Sequence, residues 1–433
     1  MSLPKVIASR VSRPVAVFGA GVSGAAVREL LAKQGVASVV YDEKGGDGAK
    51  TVFGEAEARA HALVVYSPGF PRNHPWLVAA RREDALCLGE IDFAALFWDG
   101  PVVAVTGTNG KTTITEFLAF AFKRLGKDAV AVGNVGYPFS RIHEAAANRT
   151  PLAVCEVSSF QAEDLRHFSP AALIWTNFDE DHLDRHASLE AYFRAKFKLV
   201  DRLAGRRLFV GESVVQAAKR FGVELPAFTE VGTRAEVDGL VPEGVFSSRP
   251  QQENYALIRR YWLAEGLPLR ALDEAARVFT PVRHRLAKVA EIGDVEFWND
   301  SKGTNFHAVL GALPGFVSGP VYWIGGGKAK GGDIHGFAGK VAPHIRAGYL
   351  IGETGPEIVE ALTEKGRPAR VFKTLPDAVN AAWKDASAAG GPAVVLFSPG
   401  FSSFDMFKSY AERGIAFEQA AFALRGNNSS KSR

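Results

Sequence analysis

Short apolar runs alternate with segments of helical periodicity along most of the chain. The runs are rich in valine, and several are followed by a glycine-rich turn. Because strands that alternate with helices read in this way, the pattern predicts an α/β protein with mostly parallel sheets. Strand, glycine-rich turn and helix follow one another most clearly in residues 14–35 and 101–126, and a third glycine-rich turn follows a strand in residues 321–333.

These three units lie far apart in the sequence, so each is expected to open its own domain. A chain of 433 residues also exceeds one typical hydrophobic core. Turn residues at 98–101 and 279–281 mark the two boundaries. We therefore predict a Rossmann-like domain over 1–97, a P-loop ATPase-type domain over 98–279 and a second Rossmann-like α/β domain over 280–433.

Composition narrows the class of function. Hydrophobic residues make up 47% of the chain, charged residues 23%, and the formal net charge is +4. Without a concentrated run of Lys and Arg, nucleic acid is not an expected partner. The opening residues lack a signal-peptide core, and no stretch approaches the roughly 20 apolar residues of a membrane span. We expect a cytoplasmic monomer that acts on small molecules, without a disulfide framework, since only Cys87 and Cys155 are present.

A phosphate-binding loop is predicted between the strand at 102–106 and the helix that follows. Gly107 and Gly110 permit backbone angles at which N–H groups converge on phosphate oxygens. Lys111 supplies a cation near a transferred phosphoryl group, and Thr112 a hydroxyl for Mg²⁺. The predicted ATP contacts of the loop are Gly107, Thr108, Asn109, Gly110, Lys111, Thr112 and Thr113.

The spacing of this loop, with Gly107 three residues before Gly110, resembles that of Mur ligases and folylpolyglutamate synthetases. Further blocks resemble Mur ligase motifs, and together they span essentially the whole chain: 156–161, 177–185, 299–305, 326–333 and 396–405. The resemblance implies an ATP-dependent, ADP-forming ligase that makes an amide bond and requires Mg²⁺.

The resemblance also implies roles for individual residues. The metal ligands would be Thr112, Glu156, His182 and Lys196, and the catalytic residues Lys111, His182 and Lys196. Further ATP contacts would be Asn254, His284, Arg285 and Asp300. The incoming glutamate would be bound by Lys302, Thr304, Lys330, Ser403, Phe404 and Tyr410, where Lys330 is preferred to Lys328 by its distance from Asp333.

The N-terminal unit carries a GxGxxG motif at residues 19–24, and Asp42 follows at the distance of a ribose-binding acid. Alone this predicts a dinucleotide site and an oxidoreductase. Followed by a phosphate loop, it resembles instead the UDP-sugar domain of the Mur ligases that add D-glutamate to UDP-N-acetylmuramoyl-L-alanine, in peptidoglycan synthesis. The UDP-sugar contacts would be Val22, Ser23, Glu43, Lys44, Ser67, Asn134, Ser158 and Gln161. A ligase using L-glutamate, or one of the folylpolyglutamate type, remains an alternative.

Lys196 is a special case on a predicted helix over 189–200. Together with Phe193 and Val200 it falls on the apolar face, where burial would disfavour the charged amine. A neutral amine can capture CO₂ to form a carbamate, an anionic oxygen ligand suited to Mg²⁺. Mur ligases carry a carbamylated lysine at the matching position, so the resemblance implies a second Mg²⁺ site at Lys196.

Overall fold

The structure is a computed structural model. It describes residues 3–46, 48–134, 137–145, 150–183, 185–238, 240, 245–247, 249–280, 286–316 and 319–429. In these residues strands and helices alternate as the apolar pattern predicts, and the α/β class is confirmed. No helix in the described part of the chain combines the length and apolar character needed to cross a membrane.

The strands are β1 (Val15–Phe18), β2 (Ser38–Tyr41), β3 (Leu63–Tyr66), β4 (Leu86–Gly89), β5 (Val102–Thr106), β6 (Ala129–Gly133), β7 (Leu152–Glu156), β8 (Ala172–Trp175), β9 (Leu208–Gly211), β10 (Thr229–Gly232), β11 (Ala287–Ile292), β12 (Val295–Asn299), β13 (Val321–Gly326), β14 (Ala347–Ile351), β15 (Ala369–Val371) and β16 (Ala393–Phe397).

The helices are α1 (Lys5–Ala8), α2 (Val22–Lys33), α3 (Glu55–Ala58), α4 (Pro75–Arg82), α5 (Glu90–Ala95), α6 (Lys111–Arg124), α7 (Ile142–Ala145), α8 (Ser159–Ala162), α9 (Leu189–Asp201), α10 (Glu212–Arg220), α11 (Arg249–Ala264), α12 (Leu269–Val278), α13 (Phe306–Ala312), α14 (Ile334–Val341), α15 (Gly355–Glu364), α16 (Leu375–Ala389) and α17 (Tyr410–Ser429).

The first sheet has the order β2-β1-β3-β4, and its strand pairs are parallel. All residues of β1 and β3 are buried, because side chains pack on both faces of a parallel sheet. β1 ends directly before Gly19 and β3 directly before Ser67. The two turns that carry predicted UDP-sugar contacts therefore meet at one edge of this sheet.

The second sheet has the order β10-β9-β8-β5-β7-β6 and is also parallel throughout. β5 lies near its centre and leads into the phosphate loop. Val105 of β5 pairs with Glu156 of β7, so the acidic end of β7 comes out beside that loop. The carboxyl ends of adjacent parallel strands are where ligands bind in open α/β sheets.

The third sheet has the order β11-β12-β16-β13-β14-β15, in which β11 runs antiparallel to β12 and the other pairs are parallel. Two apolar clusters pack on its opposite faces, one around Phe397 and Phe417, the other around Trp323 and Phe337. Since β12, β13 and β16 point the same way, the blocks at 299–305, 326–333 and 396–405 emerge at one edge.

The chain divides into two compact units. The first comprises Met1–Phe178, Glu190–Gly244 and Glu253–Phe279, and it holds the first two sheets. The second comprises Asp179–Leu189, Val245–Gln252 and Thr280–Arg433, and it holds the third sheet. The three-domain division at residues 97 and 279 stays a prediction.

Candidate active site

The phosphate loop is shaped by backbone contacts that only glycine permits. Gly107 and Gly110 have φ angles of 144° and 83°, and Gly110 is the N-cap residue of α6. The N–H of Thr108 donates to the Asn177 carbonyl at 3.1 Å, and that of Asn109 to the Asn177 side-chain oxygen at 2.9 Å. The loop is thereby held open at the N-terminus of a 14-residue helix, where anions are favoured.

Lys111 folds back over this loop. Its Nζ donates to the carbonyls of Gly107 and Thr108 at 2.9 and 2.8 Å. The ammonium group thus lies where the loop curves, and a bound phosphate chain could replace these carbonyls as its acceptor. The ammonium group of Lys111 therefore contacts the loop that the sequence predicts to bind phosphate.

Glu156 joins two further predicted residues to the loop. Its carboxylate is 1% exposed and accepts hydrogen bonds from the Thr112 hydroxyl at 2.8 Å and from the Asn134 amide at 2.9 Å. A buried carboxylate needs such donors, because its charge is costly to remove from water. Thr112, Asn134 and Glu156 therefore form one polar cluster at the strand ends.

This cluster has the oxygen donors that Mg²⁺ prefers. Among the residues that the structure describes, no group of three or more His, Cys, Asp or Glu side chains is arranged to hold a metal ion. Glu156 and Thr112 consequently fit an ion that takes its other ligands from phosphate oxygens and water, as Mg²⁺ does at many nucleotide sites.

Lys196 reaches the same loop from α9. It is 1% exposed, and its Nζ donates to the Gly107 carbonyl at 2.9 Å and lies 4.8 Å from the centre of the Tyr192 ring. The predicted burial of Lys196 is confirmed, and Arg194 is exposed as expected. Carbamylation of Lys196 stays a prediction.

Asn254 packs against the loop from α11. It is 2% exposed, and a Cβ atom added to Gly110 would lie 2.5 Å from its side-chain nitrogen. Thr113 is fully buried in the first turn of α6, and within the described residues its hydroxyl has no hydrogen-bond partner. His284 and Arg285 lie outside the described residues.

The UDP-sugar residues fall into two places in the first unit. Val22, at the start of α2, is 65% exposed, and no side chain caps that helix terminus. Ser67 lies against Gly19: a Cβ atom at Gly19 would be 2.6 Å from the serine hydroxyl. Elsewhere, Ser158 caps α8 and exchanges hydrogen bonds with Gln161. Ser23 is half-buried at the start of α2, next to Val22.

Both carboxylate oxygens of Asp42 accept hydrogen bonds from the backbone. Its two oxygens accept from the N–H groups of Ala20 at 2.8 Å and Lys44 at 2.9 Å. A ribose-binding acid of a dinucleotide site needs those oxygens for hydroxyl groups. Glu43 and Lys44 are exposed beyond it, with Glu43 3.3 Å from the His74 imidazole. The arrangement therefore weakens the oxidoreductase alternative.

A polar centre in the second unit forms around Asp181. Lys330 Nζ lies 3.1 Å from one carboxylate oxygen, and the Asn305 amide donates to the other at 3.0 Å. Burial raises the pKa of Asp181, but the charges of Lys330 and His182 and the hydrogen bonds from Asn305 and Lys330 outweigh it and lower the pKa to about 2. Asp181 therefore stays ionised and fixes the ammonium group of Lys330.

A small cavity of about 30 Å³ borders this centre. Its lining residues include His182, Thr304 and Lys330, whereas Lys328 is exposed. His182 has a positive φ of 56°, which is uncommon for a residue with a side chain. Three predicted site residues thus come together in this unit.

The other predicted residues of the second unit lie on the adjoining turns. Asp300 accepts from the Ser398 hydroxyl at 2.6 Å and from the Leu286 N–H at 3.2 Å. Lys302 Nζ lies 5.4 Å from the centre of the Tyr410 ring. Ser403 is buried and Phe404 is 70% exposed. Within the described residues, Lys302, Ser403, Phe404 and Tyr410 do not line the cavity.

Three side chains stand out to which the sequence analysis assigns no role. Asp181 anchors Lys330 and is itself held by the Asn305 amide, and Arg413 is buried beneath the 299–305 turn. Their importance depends on partners that are far away in the sequence. The signal that could have found them is a charged or amide residue within an otherwise recognisable motif.

Comparison with known proteins places these features in context. The Mur ligase middle domain is matched by residues 105–228. The chain is 31% identical to the UDP-N-acetylmuramoylalanine–D-glutamate ligase of Aquifex aeolicus, covering 93% of this chain and 97% of that protein. It is 34% identical to the ligase of the same name from Rhodopseudomonas palustris, covering 97% and 98%.

Solved structures share the fold. The UDP-N-acetylmuramate–alanine ligase of Thermotoga maritima superposes with a TM-score of 0.58 at 17% identity, covering 95% of this chain and 100% of that one. A MurF ligase from Thermotoga maritima in complex with ADP gives 0.56 at 15% identity, covering 86% and 98%.

We predict that Gly110→Ala abolishes nucleotide binding. The new methyl group would strain a left-handed residue and displace Asn254. Gly126→Ala is the matched control, since Gly126 follows the same helix with φ 75° and open space around it. Both variants carry similar backbone strain, so we expect comparable thermal midpoints. Calorimetric titration should show that ADP binding is lost only in Gly110→Ala. Equal loss of ADP binding in both variants would contradict it.

Proposed function

The chain belongs to the Mur ligase family, and from that premise we propose that it is the ATP-dependent ligase that joins D-glutamate to UDP-N-acetylmuramoyl-L-alanine, in the synthesis of peptidoglycan precursors. Membership confirms the resemblance that the motifs predict. The observation that carries the proposal is the cluster in which Glu156, Thr112 and the phosphate loop share one sheet edge.

The proposed reaction begins at the alanyl carboxylate, which is a poor electrophile. Its oxygen attacks the γ-phosphorus of ATP, the bond to ADP breaks, and an acyl phosphate forms. The glutamate amine then attacks the acyl carbon, loses a proton, and the tetrahedral intermediate expels phosphate. The products are the amide, ADP and phosphate.

Lys111 serves the first step. Its ammonium lies against the loop carbonyls, and it stabilises negative charge that develops on the transferred phosphoryl group. The loop N–H groups at the start of α6 act in the same direction, without any cost of reorganisation.

Glu156 and Thr112 would hold Mg²⁺ in this reaction. When bound, the ion supplies charge neutralisation on the phosphate oxygens. His182 and a carbamylated Lys196 are proposed as ligands of a second ion. His182 is also the side chain that we propose to orient the glutamate amine or accept its proton.

Lys330 is proposed to bind a carboxylate of glutamate. Its ammonium borders the cavity and is held by Asp181, so little side-chain freedom is lost on binding. Thr304 shares the cavity. Lys302, Ser403, Phe404 and Tyr410 are proposed to complete the pocket from the adjoining turns.

The remaining assignments follow from family membership and site chemistry. The start of α2 is proposed to bind the UDP diphosphate, because no side chain caps this helix terminus and the N–H groups of a helix terminus favour anions. The substrates are small molecules, and we propose a cytoplasmic monomer with three domains.

The test of the function is a product assay. The protein is incubated with ATP, Mg²⁺, UDP-N-acetylmuramoyl-L-alanine and either D- or L-glutamate, and the UDP product is identified by mass spectrometry. We expect product and phosphate release with D-glutamate. Product with L-glutamate alone would identify a ligase that uses L-glutamate, and product with a folate substrate instead would identify a ligase of the folylpolyglutamate type. A change in NADH absorbance would identify an oxidoreductase.

We predict that Lys111→Ala abolishes product formation and leaves the fold intact, because the lysine is the first residue of α6 and acts through its charge. Lys123→Ala is the matched control, since Lys123 is exposed in the last turn of the same helix. Circular dichroism checks the fold. Product formation by Lys111→Ala within about fivefold of wild type would exclude the loop as the phosphoryl-transfer site.

We predict that Lys330→Ala and Ser403→Ala raise KM for glutamate by about tenfold or more and change KM for ATP by about threefold or less, since carboxylate contacts are lost in one pocket only. Lys328→Ala, which removes the exposed lysine of the same loop, should change neither constant. If Lys328→Ala has a larger effect on KM for glutamate than Lys330→Ala, then Lys328 binds the carboxylate and the assignment to Lys330 is wrong.

We predict that Lys196 carries a carbamate. In protein labelled with ¹³C-bicarbonate, NMR should show a carbamate signal that is absent in Lys196→Ala and retained in Lys198→Ala. Lys196→Ala should be nearly inactive and partly restored by acetate, which returns an anionic oxygen. A spectrum without this signal near neutral pH, from active protein saturated with bicarbonate, would rule the modification out.

A further inference from the structure

Arg413 is a buried cation in the first turn of α17. It is 1% exposed, and its guanidinium group makes four hydrogen bonds. Two go to Ser301, at 3.2 Å to the hydroxyl and 2.9 Å to the carbonyl. The others go to the carbonyls of Phe401, at 3.1 Å, and Ser402, at 3.2 Å. All four acceptors are uncharged.

Such a residue is costly for the fold. Burial lowers the pKa of Arg413 to about 10, against the charges of Asp405 and Asp300, so the side chain is still protonated near neutral pH while it is removed from water. An apolar residue of similar size is often as stable or more stable at such a position. The apolar anchoring of α17 is already provided by Phe417, which stacks on Phe397 of β16.

The guanidinium group joins two turns that carry predicted ligand contacts. Ser301 stands between Asp300 and Lys302, and Phe401 and Ser402 directly precede Ser403. The planar guanidinium group, with several donors in fixed directions, reaches acceptors on both turns at once.

The glycine-rich loop that contains Lys328 is hydrogen-bonded to the second of these turns. Ser402 pairs with Lys328 of the glycine-rich loop, through its carbonyl at 2.9 Å and its N–H at 3.2 Å. The Ser301 hydroxyl, which accepts from Arg413, donates in turn to the Tyr410 carbonyl at 2.8 Å. Arg413 therefore lies at the junction of the turn after β12, the turn after β16 and the start of α17.

We propose that Arg413 is a positioning residue that sets the spacing between the 299–305 turn and the 400–404 turn, and thereby the geometry of the glutamate pocket. The proposal rests on the proposed function for the identity of the ligand. ATP contacts are affected less, because Asp300 is held independently by Ser398 and by the Leu286 N–H.

The first test measures the turns without reference to activity. Hydrogen exchange followed by mass spectrometry is compared in wild type, Arg413→Lys and Arg367→Ala. Arg367 is the matched control, since it also donates to a backbone carbonyl of the second unit, that of Ala342 at 2.7 Å. We expect faster exchange in both turns in Arg413→Lys alone. Unchanged exchange in these turns would overturn the proposal, whatever reaction the protein catalyses.

The second test is kinetic. Arg413→Lys should raise KM for D-glutamate about tenfold and KM for ATP by about threefold or less. Arg413→Ala should also raise KM for D-glutamate, and free guanidinium at a sub-denaturing concentration should lower that KM again. Equal changes in both constants, or the same change in Arg367→Ala, would indicate general destabilisation and sink the idea. If Arg413→Ala does not fold, Ser301→Ala replaces it, with the same split between the two constants expected.

The two tests separate the proposals. Faster exchange in both turns, together with a wild-type protein that does not consume D-glutamate, would reject the proposed function and keep the positioning role. Normal D-glutamate ligation by the wild type, together with unchanged hydrogen exchange of both turns in Arg413→Lys, would keep the proposed function and reject the positioning role.

Discussion

The parallel pairing of β5 with β7 is the constraint on which the first unit depends. It places the end of a strand that enters the phosphate loop beside the end of a strand that terminates in a carboxylate. Glu156 is buried there, and a buried carboxylate must be given donors. The Thr112 hydroxyl and the Asn134 amide supply them, so satisfying one charge fixes the relative positions of three segments that are distant in the sequence.

Buried carboxylates also connect the first two sheets. One oxygen of Asp92 in α5 accepts from the backbone N–H groups of Arg166, His167 and Phe168, at 2.9, 2.6 and 2.8 Å. Glu90, in the same helix, accepts from the Ser140 N–H at 2.7 Å, and burial raises its pKa. These bonds link the helix after β4 to loops of the second sheet. The predicted UDP-sugar turns and the phosphate loop are consequently carried by one compact unit.

The sequence predicts the parts of the site whose chemistry is local. A glycine-rich turn between a strand and a helix is recognisable by itself, and so is an apolar helix face, which is why Lys111 and the burial of Lys196 could be foreseen. The anchoring of Lys330 could not, because Asp181 lies 149 positions away from it in the chain, and Asn305, which donates to Asp181, lies 124 positions from that carboxylate. Asp42 shows the opposite case: its spacing fits a ribose-binding acid, but the backbone N–H groups of Ala20 and Lys44 take both oxygens.

Two buried basic residues, one in each compact unit, illustrate why residue type matters as much as charge. Lys196 and Arg413 are each 1% exposed, and both donate to backbone carbonyls of loops at strand ends. A lysine presents a single nitrogen, which can become a nucleophile when it is neutral, so a covalent change such as carbamylation is open to it. A guanidinium group stays protonated and spreads its donors over a rigid plane. Exchanging the two residues would therefore place a reactive nitrogen where several fixed donors are needed, and a fixed fork where one reactive nitrogen is needed.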